Sequence, residues 1–171
     1  MFTALPEVVD AWRMVAGGRV FSGSLPLASL PRLVTSLADE QGQCSYEVEF
    51  GRDEFGISFV EIRAQAALPL TCQRTLERFE LPVQVDQRMG LIRDEREEAS
   101  LPPGYEPVLV GEDGRLNAIE LIEDELILAV PVVPVKPGTE AVEALWPAAP
   151  EETEEERPNP FAALSALKSR R

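Results

Sequence analysis

Apolar positions recur along this chain at two periods, and the switch between them predicts where helices give way to strands. In "PEVVDAWRMVAGG", Val8, Val9, Trp12 and Val15 fall at helical spacing and Gly17 with Gly18 closes the run, so a short helix is expected. "RVFSGSLPL" follows as a strand. Ser29 is placed to cap a second helix through "LPRLVTSLA", where Leu30, Leu33, Val34 and Leu37 share one face and Pro31 suits the first turn. From Cys44 the period drops to two: Cys44, Tyr46, Val48 and Phe50 alternate with polar residues up to the turn "GRDEFG". Phe55, Ile57 and Phe59 then take one parity, and Val60, Ile62, Ala64, Ala66 and Leu68 the other. That change predicts a bulge near 59–60. Phe79, Leu81, Val83, Val85, Met89 and Leu91 form the most regular strand pattern of the chain.

The second half is less regular. "RDEREEASLPPGYEP" is a charged, proline-bearing connection, "PVLVG" one more short strand and "EDG" a turn. Asn117 caps a helix, with Glu120 three residues on in the manner of a capping box, and the helix runs to about Ala129, where Pro131 stops it. These elements predict an α+β fold over residues 1–135, an antiparallel twisted sheet or partly closed β-barrel flanked by helices. Residues 136–157, rich in Pro, Ala and Glu, are expected to be a mobile acidic linker. Residues 158–171 contain "NPFAALSALKSRR", an amphipathic helix with Phe161, Leu164 and Leu167 at helical spacing and a basic end.

Composition narrows the chemistry. The chain has 171 residues, enough for one domain with a real core, and no histidine. That removes the Ser-His-Asp and Cys-His arrangements and the HExxH zinc site. No Gly-rich phosphate loop is present, so catalysis would have to rest on carboxylates and a metal. Two cysteines, Cys44 and Cys72, are too few for a disulfide framework and read as small buried hydrophobes. No signal peptide or membrane span is visible, which predicts a soluble cytoplasmic protein without membrane contact. Charge is uneven: residues 94–157 hold 18 Asp+Glu against 4 Lys+Arg, and the whole chain stands at −14. Such a field repels nucleic acid at long range and attracts basic partners.

The acids of "LIEDELILAVPVVP" pose the main question. Glu120, Glu123 and Asp124 share one helical face, with Glu125 beside the apolar stripe of Ile119, Ile122, Leu126 and Ala129. One reading is a solvated face that can bind a basic partner. The other is a magnesium-dependent nuclease, which would need Glu120 and Asp124 to converge with acids such as Glu106 or Asp113.

Three stretches, "LTCQRTLERFELPV", "LPPGYEPVLVGEDGRLNAIELIEDELILAVPVVP" and "NPFAALSALK", together resemble the YceD family of large ribosomal RNA subunit accumulation proteins, over roughly residues 44–168. The resemblance implies a bacterial cytoplasmic factor needed for large-subunit ribosomal RNA to accumulate, through its synthesis, processing or stability. Many relatives carry C-x-x-C where this chain has Cys72 and Thr75, and some add a second pair suited to zinc. Thr75 and the lack of a later pair leave no such site here, so neither metal nor cofactor is expected. The reading is therefore a non-catalytic binding protein in ribosome biogenesis. Its partner is a basic ribosomal protein or assembly factor on the pre-ribosomal particle, with RNA touched indirectly or weakly. Candidate partner contacts are Glu120, Glu123, Asp124 and Glu125, together with Arg74, as a phosphate contact or in an ion pair with Glu77 or Glu80. The tail adds Asn159 and Pro160 as helix starters, Phe161 as an apolar anchor, and Lys168, Arg170 and Arg171 as cations, docked on a partner or on the domain itself.

Overall fold

In the computed structural model, which describes residues 5–139, two helices start from one antiparallel ribbon made of β1 (Val8–Asp10) and β7 (Arg115–Asn117). Each strand runs straight into a helix: β1 into α1 (Ala11–Ala16) and β7 into α3 (Ala118–Ala129). Both junctions are capped. Asp10 accepts the N–H of Arg13 at 3.0 Å, and Asn117 accepts those of Ile119 and Glu120 at 3.1 and 3.2 Å. The first helix thus begins later than its apolar spacing predicts. Val8 and Val9 are β-branched and pair in register with Asn117 and Leu116, and that long-range pairing overrides the local helical period.

The main sheet has the order β2-β3-β4-β5-β6, with β2 at Val20–Pro26, β3 at Gln43–Arg52, β4 at Ser58–Thr71, β5 at Arg78–Ile92 and β6 at Glu106–Leu109. Pairing is antiparallel as far as β5. β6 joins β5 in parallel, made possible by the long connection 93–105, which contains a 3-10 turn at Glu95–Ser100. The sheet is twisted and open, with β2 and β6 as its edges, so it does not close into a barrel. The expected bulge at 59–60 is absent: pairing runs without a slip from Arg52↔Ser58 to Cys44↔Ala66. The parity change has another cause, burial on both faces. Phe59 lies on the side opposite Val60, across from Gly51 and Gly90 on the flanking strands. A Cβ at Gly51 would come within 2.7 Å of the Phe59 ring, and one at Gly90 within 2.6 Å of Leu101. These glycines make room for a small apolar cover over that end of the sheet.

The larger core lies on the opposite face. Val48, Phe50, Val60, Ile62 and Leu68 meet Ile122 and Leu126 of α3 and Leu27, Leu30 and Leu33 around α2 (Pro31–Val34), all fully enclosed. Burying each such side chain contributes about 1.5–3 kcal/mol. α2 is a single turn, and Ser29 does not cap it. The Ser29 hydroxyl donates to the carbonyl of Pro26 at 2.7 Å, and Leu30 occupies the cap position with no side-chain hydrogen bond.

Residues Met1–Lys136 form one compact unit and Pro137–Arg171 a second, of which only 137–139 are described. The tail candidates Asn159, Pro160, Phe161, Lys168, Arg170 and Arg171 lie outside the described residues. Among those described, no helix is long and apolar enough to cross a membrane.

Candidate functional site

The missing cap of α2 is supplied from far along the chain. Pro31 has no N–H to offer, which leaves the amides of Arg32 and Leu33 as orphan donors at the start of the turn. Oε1 of Glu123 accepts both, at 2.7 and 3.1 Å, and Oε2 accepts Nε of Arg32 at 2.9 Å. The Arg32 guanidinium also donates to Asp124 at 2.5 Å and to the backbone carbonyl of Glu120 at 3.3 Å. Glu123, placed on a solvated face by the helical spacing, is only 3 % exposed. The pairing offsets the desolvation of its charge, and the guanidinium of Arg32 is held above its ordinary value, first of all by Glu123.

The four acids of α3 therefore part company. Glu123 and Asp124 converge on Arg32. Glu120 keeps an exposed carboxylate and lends only its carbonyl. Glu125 is half-buried, and its carboxyl is pushed up by burial first and then by the charges of Glu106 and Asp124. Arg32 itself escaped the sequence reading. Its signal was a single arginine directly after a proline inside the apolar run "LPRLV".

The other face of the main sheet carries a ladder of opposite charges. Arg63 lies 2.8 Å from Glu47, 3.0 Å from Glu61 and 3.8 Å from Asp86, while Arg88 bonds Glu61 at 2.7 Å. Arg88 also covers the Phe59 ring at 4.5 Å, and the Tyr105 hydroxyl donates to Asp53 at 2.9 Å. Further along the same face, an open groove of about 590 Å³ is lined by Ser24, Gln43, Ser45, Gln65 and Gln84, polar groups without charge.

The turn between β4 and β5 holds the two residues singled out there. Leu76 takes the left-handed φ of 59° that closes it. The Cys72 side chain is fully buried and belongs to the hydrophobic core cluster. Its sulfur accepts the N–H of Lys136 at 3.4 Å. That amide first, with the hydroxyl and N–H of Thr75 and the N–H of Arg74, brings the thiol down to about 6, against the opposing effect of burial. Cys44, enclosed in the core, is pushed up by burial to about 11. The Arg74 side chain is exposed. Of the acids expected near it, Glu77 bonds Lys136 at 3.0 Å and Glu80 bonds Arg78 at 3.3 Å.

Comparison with known proteins bears on the whole chain. No solved structure matches it. A curated relative, the "Large ribosomal RNA subunit accumulation protein YceD" of Haemophilus influenzae, is 28% identical over 170 residues, covering 97% of each chain. The family described as "Large ribosomal RNA subunit accumulation protein YceD" matches residues 60–168, which include β4 from Val60 on, β5, β6, the β7–α3 junction and the Arg32-binding acids. With well over half of its length matched in this way, the chain belongs to the YceD family.

Proposed function

We propose that the chain supports the accumulation of large-subunit ribosomal RNA as a non-catalytic binding factor. Its acidic surface holds a basic ribosomal protein or assembly factor on the pre-ribosomal particle. The ribosomal role follows from the family and the relative. The binding mechanism is supported chiefly by the fate of Glu123 and Asp124. These acids, the natural centre of any carboxylate chemistry, are held by Arg32 within the domain. Among the described residues no group of three His, Cys, Asp or Glu side chains gathers closely enough to hold a metal ion. A ribonuclease built on Glu120 and Asp124 with Glu106 or Asp113 is correspondingly disfavoured. The remaining acids of the connection 94–100, with Glu112, Asp113 and Glu120, are exposed and spread over the surface, as suits a broad cationic partner.

Two measurements test this. Purified chain incubated with precursor ribosomal RNA and magnesium or manganese is expected to leave the RNA intact. A tagged chain is expected to retain large-subunit precursor components at ~0.15 M salt and to lose them steeply as salt rises. RNA cleavage overturns the non-catalytic reading, and retention insensitive to salt overturns the role of the acidic surface.

A further inference from the structure

We propose that the end of the domain where β3 and β5 finish binds single-stranded RNA directly, stacking a base on the Arg93–Trp12 pair and holding phosphates with Arg52, Arg13 and Arg19. This rests on the ribosomal-RNA reading above and gives that reading a contact surface. The up-and-down path from β2 to β5 brings the residue ahead of β2, the end of β3 and the end of β5 to the same end of the strands. Each of these positions carries an arginine. Arg19, which accepts the N–H of Phe50 through its carbonyl at 2.8 Å, precedes β2; Arg52 closes β3; Arg93 follows β5. α1 packs at this end, puts Trp12 in the cavity wall and carries Arg13 as the next residue of the helix.

A cavity of about 350 Å³ opens there, with Trp12, Arg52 and Arg93 in its wall beside Ser58 and Ser100. The Arg93 guanidinium sits over the Trp12 ring, 4.4 Å from its centroid. Arg13, Arg19, Arg52 and Arg93 are all exposed, and none forms an ion pair with a carboxylate of the described residues. Glu97, the acid in the cavity wall, accepts the backbone N–H of Arg93 at 3.1 Å.

This combination favours RNA over a protein partner. Guanidinium forks match phosphate oxygens, and a guanidinium–aromatic stack offers a base a flat face on which to stack. A base can enter the cavity only when it is unpaired, which selects single strands. At ~0.15 M salt fields fade over about 8 Å, so distant parts of the −14 charge act weakly here, while the exposed acids that follow Arg93 (Asp94, Glu95, Glu97 and Glu98) oppose the arginines and limit the affinity.

Fluorescence anisotropy of the full chain with a labelled single-stranded RNA of mixed sequence, across a salt series, tests the site. Arg52→Gln with Arg93→Gln should weaken binding about tenfold, through one lost phosphate contact and the lost guanidinium face of the stack, and make the salt slope shallower by about 0.7. Arg63→Gln with Arg78→Gln makes the same charge change at arginines already paired to acids, and should leave binding within about twofold. Trp12→Leu should weaken RNA but leave heparin, a polyanion without bases, unaffected. The inference is overturned if the wild-type chain shows no saturable RNA binding at low salt, if both double variants lose equally, or if Trp12→Leu weakens heparin as much as RNA. Failure to bind RNA, with salt-sensitive retention of large-subunit components intact, defeats this inference and leaves the proposed function standing. Loss of that retention with RNA binding preserved reverses the outcome.

Discussion

Arg32 and Arg93 sit in two regions of the same domain and do opposite things with the same side chain. At the corner of α2 and α3, Arg32 is wrapped by Glu123, Asp124 and the carbonyl of Glu120, and this set of bonds joins two helices and finishes the short one. At the β3 and β5 end, Arg93 covers Trp12 and Arg52 shares its cavity, and among the described residues no carboxylate forms an ion pair with either guanidinium; Glu97 reaches only the backbone N–H of Arg93. The difference teaches that a charge acquires its role from what the fold brings within hydrogen-bond reach. A buried carboxylate turns an arginine into part of the frame, and its absence leaves the arginine directed at something outside.

Breaking the frame should produce the largest effects. Leu126→Ala removes a fully enclosed side chain from the face of α3 that anchors the corner, and is expected to cost about 2–5 kcal/mol in chemical denaturation. Glu123→Ala leaves the amides of Arg32 and Leu33 without an acceptor, for an expected loss of about 1–3 kcal/mol. Asp124→Asn at the same corner touches only a half-exposed pair and should cost under about 1 kcal/mol. Equal losses for Glu123→Ala and Asp124→Asn would erase the distinction drawn between buried and exposed partners.

The cysteines carry the comparison to a titratable pair. Hydrogen bonds lower the Cys72 thiol from 9.0 to about 6, so the stabilisation is complete above the unfolded value and lost as pH falls through about 6. The melting midpoint should therefore gain a rising component between pH 6 and 9 that Cys72→Ser removes. Ultraviolet titration of thiolate should place Cys72 near 6 and Cys44 near 11. Two coincident titrations would contradict the donor set around the Cys72 sulfur. At the open end the smallest effect on stability is expected: Arg52→Gln with Arg93→Gln should shift it by no more than about 0.5 kcal/mol, the ordinary range for surface changes.

Much of the frame was legible in the sequence. The period-two runs located β3, β4 and β5, and the Asn117 cap with its apolar stripe located α3, because each of those signals is local. What was hidden depends on residues distant in sequence. Val8 and Val9 look helical until β7 is available to pair with them, and Ser29 looks like a cap until Glu123 takes that part. Phe59 looks out of step until Gly51, Gly90 and Leu101 are seen making a second apolar cover. The arginine edge was readable only in principle. An up-and-down meander places the start of β2 with the ends of β3 and β5, but a charge count along the chain finds those arginines scattered among acids.

The most direct test of this division sets Glu123→Ala beside Arg52→Gln with Arg93→Gln in a strain lacking the protein, measuring each purified variant's melting curve and the recovery of large-subunit ribosomal RNA. Glu123→Ala is expected to lower the melting midpoint. The arginine double variant is expected to leave the curve unchanged and RNA accumulation unrestored. Full restoration by the double variant, or a midpoint lowered as far as that of Glu123→Ala, would show that the two sets of arginines do not divide into frame and binding surface.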